Sequence, residues 1–219
     1  MLEGAAPLAQ PAGETGVGAW ISLWVRPRAT IRRILDAGPR RGIRGIMVLG
    51  WTAGVPLGLA LSTWGDVVPA PLLPLAIGAA LLLGAILALV VLYLHASLLR
   101  LVGRLFEGRG DALSLRTVVA WCQGALSVWR LLLLPPWLVV LGDRAFHFEF
   151  DLETLLDPRI GVMLMIESAV GLWQLVVFLK CVAEAHRFST WRALGVLTME
   201  VLVVLAPAAV VVLAVLALR

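Results

Sequence analysis

Three ionisable residues, Arg130, Glu167 and Glu200, stand inside long apolar stretches of this chain. Charge is costly in hydrocarbon, so each is expected to face protein or water. At 1.5 Å of rise per residue, Arg130 lies about 17 Å below the outer end of its stretch. Glu200 lies about 10 Å above the inner end of its own, at nearly the same depth in a core of roughly 30 Å. Glu167, about 10 Å below the outer end of a third stretch, is within reach of a long Arg side chain. The expected arrangement is a network of Arg130 with one or both glutamates, Glu200 being the better matched by depth. Such a network either fixes helix packing as a buried ion pair or marks the path of an ion or proton.

A second group, His95, Cys122, Cys181 and His186, gathers near one end of the apolar stretches. Two histidines and two thiols could hold zinc, but no C-x-x-C or H-x-x-x-H spacing brings them together. Buried apolar Cys and interfacial His are the expected roles, and no metal is expected. The phosphate-binding glycine motifs, H-E-x-x-H and G-x-S-x-G are all missing. Gly142-Asp143 runs into Arg144 and so differs from the Gly-x-Gly-Asp of intramembrane aspartyl proteases. The expectation is a non-enzymatic protein without a cofactor.

The elements that would position these residues follow from composition. Of 219 residues, 61% are hydrophobic and only 15% are charged, against about 45–50% and 25% in soluble domains. Lipid must therefore solvate most of the surface, which excludes an ordinary cytosolic enzyme and a disulfide scaffold. A helix crosses the bilayer with about 20 apolar residues. Five stretches qualify: about 45–62, 74–99, 117–141, 160–183 and 193–218. Strict alternation is absent, so a β-barrel is excluded. Residues 1–19 lack a basic start followed by an apolar core, so no secretory signal is expected. The fold class predicted is an all-α integral membrane protein with five spans.

Arginine sorts between the two sides. Arg26, Arg28, Arg32, Arg33, Arg40, Arg41 and Arg44 precede the first span. Arg100, Arg104, Arg109 and Arg116 lie between the second and third, and Arg187 and Arg192 between the fourth and fifth. Only Arg144, Arg159 and Arg219 fall on the other side. The excess places the N-terminus in the cytoplasm and the C-terminus outside. Seventeen of the 18 basic residues are Arg and only Lys180 is Lys, which with abundant Ala, Leu, Val and Gly reads as a GC-rich bacterial genome. The expected location is therefore a bacterial inner membrane with a periplasmic C-terminus. Five acids between Gly142 and Pro158 agree with that orientation. The net charge of +4 is read as this loop charge and not as a nucleic-acid surface. The arginines around Gly108-Arg109-Gly110 could also meet a lipid phosphate. Phe146, Phe148 and Phe150 with Leu152, Leu155 and Leu156 form an outer amphipathic or docking segment.

Residues 1–18 read as a disordered tail. Residues 19–42 read as a cytoplasmic amphipathic helix and turn: Pro27 suits a first turn, Ile31, Ile34 and Leu35 recur at helical spacing, and Trp20 and Trp24 favour the headgroup layer. Residues 43–219 form the membrane domain. In its first span Gly50, Gly54 and Gly58 line one face, and Ala80, Gly84 and Ala88 repeat that register in the second. These faces serve packing between the two spans or self-association, and Pro56 is expected to kink the first.

A short tail, then Trp24-Val-Arg-Pro-Arg-Ala-Thr-Ile-Arg-Arg-Ile-Leu35, then five spans with Pro135-Pro136 in the third, resembles the bacterial branch of the Yip family of Ypt/Rab-interacting proteins. The resemblance covers roughly residues 20–218. Eukaryotic members carry an Asp-Leu-Tyr-Gly-Pro motif and further tyrosine motifs. This chain lacks them, and its one tyrosine, Tyr93, lies inside the second span. A role with Rab GTPases therefore does not carry over. The resemblance implies a five-span structural or adaptor protein whose partners are membrane lipids and another membrane protein or a second copy of itself. The alternative is a small transporter or channel using Arg130, Glu167 and Glu200.

Overall fold

The computed structural model describes residues 17–38, 48, 70–141 and 156–217. Apart from Val48, the first expected span, with Gly50, Gly54, Gly58 and Pro56, lies outside the described residues, as do Phe146, Phe148 and Phe150. The described residues form six helices: α1 (Val17–Val25), α2 (Pro27–Asp36), α3 (Leu73–Leu105), α4 (Ala112–Leu141), α5 (Pro158–His186) and α6 (Thr190–Ala217). A short 3-10 turn, Ala70–Leu72, precedes α3.

The four long helices pack as a ring. α3 contacts α4 and α6, and α5 contacts the same two neighbours. Turns 106–111 and 187–189 are short, so the helices they join run antiparallel. Both turns lie at one end of the bundle, where the Arg109 amide donates to the His186 carbonyl at 3.1 Å. The core is strongest in this half: Leu92, Leu99 and Val102 of α3 meet Leu115, Val118 and Val119 of α4, with Val177 and Val182 of α5 and Val196 of α6. Gly84 and Ala88 are buried as the small-residue register of α3 predicts, and Ala96 continues it toward the loop end.

Outward faces are apolar. Leu82, Leu94, Met165, Leu172 and Val203 are all exposed. Two stretches, Leu81–Leu105 and Pro158–His186, meet the length, hydropathy and charge criterion for a span. Five were expected; the criterion is met by two over the described residues. Only 22% of each apolar window is buried, whereas the core helix of a soluble protein is mostly covered. These faces need hydrocarbon as their solvent. α4 runs through Pro135 and Pro136 without interruption; helices tolerate proline in membranes because their surroundings re-satisfy the freed backbone groups.

The N-terminal segment differs from the single interfacial helix expected for residues 19–42. It is two helices broken at Arg26, whose φ of −132° and ψ of 60° are not helical. The cause is Pro27, whose ring excludes the preceding residue from helical backbone and starts a new helix at its own first position. α2 is amphipathic: Pro27, Thr30 and Ile31 are buried, while Arg28, Arg32 and Arg33 are exposed. α1 is apolar nearly all round and lies along the flank of the bundle. Trp20 meets Trp121 edge-on with ring centres 6.2 Å apart, and Trp24 lies 6.3 Å from Trp129. The Trp173 indole donates to the Trp24 carbonyl at 3.2 Å. Trp173 stands thirteen residues from the end of α5, a rise of about 20 Å. The two tryptophans of α1 thus pack on aromatic rings of α4, with a hydrogen bond from α5 to the Trp24 carbonyl, along the flank of the bundle, where the expectation put them among lipid headgroups.

Candidate functional site

The intramembrane glutamates have partners that charge alone did not indicate. Glu200 is 6% exposed, and its Oε1 stands 3.4 Å from Nε2 of His95. Its Oε2 is buried with no hydrogen-bond partner among the described residues. Both residues sit ten positions in from the loop ends of α3 and α6, about 15 Å along each helix. The His95 ring also packs 5.5 Å from Phe178. Glu167 is exposed and accepts from the Trp137 indole at 2.7 Å. Arg130 lies on α4, but its side chain falls outside the described residues.

The four potential metal ligands divide among three places. His95 is with Glu200. Cys122 and Cys181 are neighbouring buried free thiols facing each other between α4 and α5. His186 lies at the loop end. Its Nδ1 accepts from the Gly110 amide at 3.2 Å, and its ring stacks on Phe188 at 4.9 Å, 8° from parallel. The ring fills a cage of glycines. A Cβ on Gly103, Gly108 or Gly110 would come within the contact distance of the imidazole. None of these three glycines stands out for this purpose in the sequence; the signal there is a glycine-rich turn joining two long helices.

The two helices that end here close alike. Gly108 donates to the Gly103 carbonyl and Glu107 to that of Arg104, while Phe188 donates to Ala183 and Arg187 to Glu184. This paired pattern is the Schellman motif, which requires a left-handed residue just past the helix. Glycine is usual at that position, yet here it is Glu107, at φ 62°, and Arg187, at φ 59°. Glu107 accepts from Arg192 at 3.2 Å. The opening of α4 is capped by Asp111, whose Oδ1 accepts from the Ser114 amide at 2.6 Å. That hydrogen bond holds the Asp111 carboxyl below the usual carboxylate range.

The α1–α2 hairpin is fastened to the same end. Arg32 donates through Nε to Glu184 at 2.7 Å, and Arg28 to the Thr190 hydroxyl at 2.9 Å. Arginines from the N-terminal segment and from both turns therefore meet at one end of the bundle, while Arg159 stands at the other end of α5. A half-open, mostly polar cavity of about 640 Å³ lies between α2, the first turn of α4 and the end of α5.

Long helices with apolar flanks, closed at one end by arginine-bearing turns and a basic helical hairpin, define a helical membrane protein. The family model of the Yip1 domain matches residues 21–216. The chain belongs to the Yip1 family. No curated protein and no solved structure matches it.

Proposed function

We propose that this Yip1-family protein is a non-enzymatic structural or adaptor subunit of the bacterial inner membrane, binding other membrane proteins or lipids. The observation that carries the reading is the fastening of the α1–α2 hairpin. Trp173, Glu184 and Thr190 hold it from three points, so Arg28, Arg32 and Arg33 are presented in one fixed geometry at the end of the bundle. A fixed basic platform loses little side-chain and backbone freedom when a partner docks. Five spans, a cytoplasmic N-terminus and a periplasmic C-terminus belong to this reading and rest on the arginine asymmetry.

A photo-crosslinker at Arg33 in cells should trap one defined membrane protein, or a second copy of this chain. The adduct should disappear when Arg28 is changed to Glu in the same chain. Adducts spread over many abundant proteins, or unchanged by the charge reversal, would overturn the adaptor reading.

A second reading, a small transporter or channel, is favoured by the buried unpartnered Oε2 of Glu200 beside His95. Proton or cation flux into liposomes, lost in Glu200→Gln while the protein remains folded, would support it.

A further inference from the structure

We propose that the cavity at the loop end is a binding site for a phosphate group carrying hydroxyl substituents. This deepens the lipid-binding side of the proposed function. The partner protein sought by crosslinking at Arg33 would stand or fall without it.

The argument starts from charge. Arg28, Arg32 and Arg187 line the cavity with Asp36, Glu184 and Ser114. Glu184 is taken by Arg32. Arg28 meets only the neutral hydroxyl of Thr190, which leaves its charge uncompensated. Arg187 has no acidic partner among the described ion pairs. Two guanidinium groups on different elements thus face one cavity, and guanidinium is the side chain whose forked donors match phosphate oxygens.

The backbone points the same way. Arg187 occupies the left-handed position that closes α5, at φ 59°. Glycine takes this conformation without strain and is the usual choice there. Arginine adds strain and, in exchange, a cation at the mouth of the cavity. A strained residue beside a cavity is a warrant to look for function.

Asp36 and the volume narrow the ligand. Asp36 lines the cavity and pairs with no cation among the described residues, and a carboxylate there repels a bare anion. It accepts hydrogen bonds from hydroxyl groups on a phosphate's substituent. A cavity of about 640 Å³ is some twenty times the ~30 Å³ share of one water, much more than a phosphate alone needs. A glycerol phosphate group fits this pattern, as the headgroup of phosphatidylglycerol or as the soluble ester. The cavity lies against amphipathic α2, whose arginines share the end of the bundle with the turns, so a headgroup of the adjoining leaflet has a short path to it.

The full chain is placed in phosphatidylcholine nanodiscs, with and without phosphatidylglycerol, and binding is read by native mass spectrometry and thermal shift. Free glycerol phosphate forms a separate arm. Retention of phosphatidylglycerol over phosphatidylcholine, without a response to glycerol phosphate, assigns a lipid site; saturable binding of glycerol phosphate assigns a soluble ligand. In either arm Arg187→Gly and Arg28→Gln should each weaken binding by about tenfold or more, the worth of a charge-assisted hydrogen bond. Arg187→Gly also relieves backbone strain, so it should fold at least as well as the parent. Arg159→Gln removes the same charge from the other end of α5, away from the cavity, and should leave binding unchanged. No binding in either arm, or equal weakening by Arg159→Gln and Arg187→Gly, would overturn the site.

Discussion

The amide of Gly110 donates to Nδ1 of His186 across 3.2 Å, tying the turn after α3 to the last residue of α5. Around that bond, Gly103, Gly108 and Gly110 approach the imidazole so closely that no side-chain carbon fits. His186 is 1% exposed, so the ring has no room to withdraw. It acts as the wedge that holds two helix pairs in register.

Gly103→Ala should therefore destabilise the protein by about 1–3 kcal/mol, the usual cost of an overpacked core. Gly78→Ala and Gly161→Ala lie on α3 and α5 with open space around them. There alanine should be neutral or slightly favourable, following its helix preference. Thermal unfolding in one detergent measures all three. Adding His186→Ala to Gly103→Ala should return part of the loss, because the obstructing ring is gone. Equal effects at Gly103 and Gly78 would show that the cage is not tight.

The Asp111 cap gives a pH dependence of known sign. The Ser114 amide holds its carboxyl below the ordinary value of 3.8. A depressed folded value contributes stability that is present above the unfolded value and is lost as pH falls through the folded one. Asp111→Ala should thus cost about 0.5–2 kcal/mol near neutrality, the range for N-cap removal. The group is largely solvent-exposed, so the lower half of that range is expected. The difference between parent and variant should shrink as the pH drops below 3.8. Amide exchange in the first turn of α4 reports this locally, and a difference that grows with acidity would contradict it.

Orientation is open to labelling. Trp191 is 81% exposed beside the arginine-rich turn, and Leu156 is 73% exposed just before α5. In a chain with Cys122 and Cys181 changed to Ala, a cysteine at 191 should resist an impermeant maleimide added outside intact cells. A cysteine at 156 should react. The reverse pattern would invert the protein in the membrane.

These features were legible in the sequence to different degrees. Apolar length is a strong signal, so α3 and α5 stand close to the expected stretches. The gathering of Arg28, Arg104 and Arg187 at one end also follows from sorting arginine by loop. The course of α1 was not readable, because tryptophan suits headgroups and aromatic packing equally well. Pro27 did mark the break, but only the contacts of Trp24 with Trp129 and Trp173 show where α1 goes. His95 reads from the sequence as an end residue, since counting depth from uncertain span ends carries an error of several residues. Nothing in composition shows that Arg187 takes the left-handed backbone, because that conformation normally announces itself with glycine.

His95 and Glu200 form the most exacting test of the membrane interior. Their Nε2 and Oε1 atoms lie 3.4 Å apart, about 15 Å along helices that pack together. Polar pairs in membranes couple by about 0.6 kcal/mol on average and reach about 1.7 kcal/mol at most. A double-mutant cycle of His95→Ala and Glu200→Ala should give a coupling within that span, read as thermal or chemical unfolding in one detergent. Losing His95 alone leaves the Glu200 carboxyl buried with fewer partners, so Glu200→Gln should soften the effect of His95→Ala by removing the charge. The same cycle between Arg130 and Glu200 measures the ion pair expected from depth. Coupling there that exceeds the His95 value would make Arg130 the principal partner of Glu200. Additive effects in the His95 cycle would show that the two side chains do not interact in the folded protein, and the pair would then carry no role in moving protons or cations.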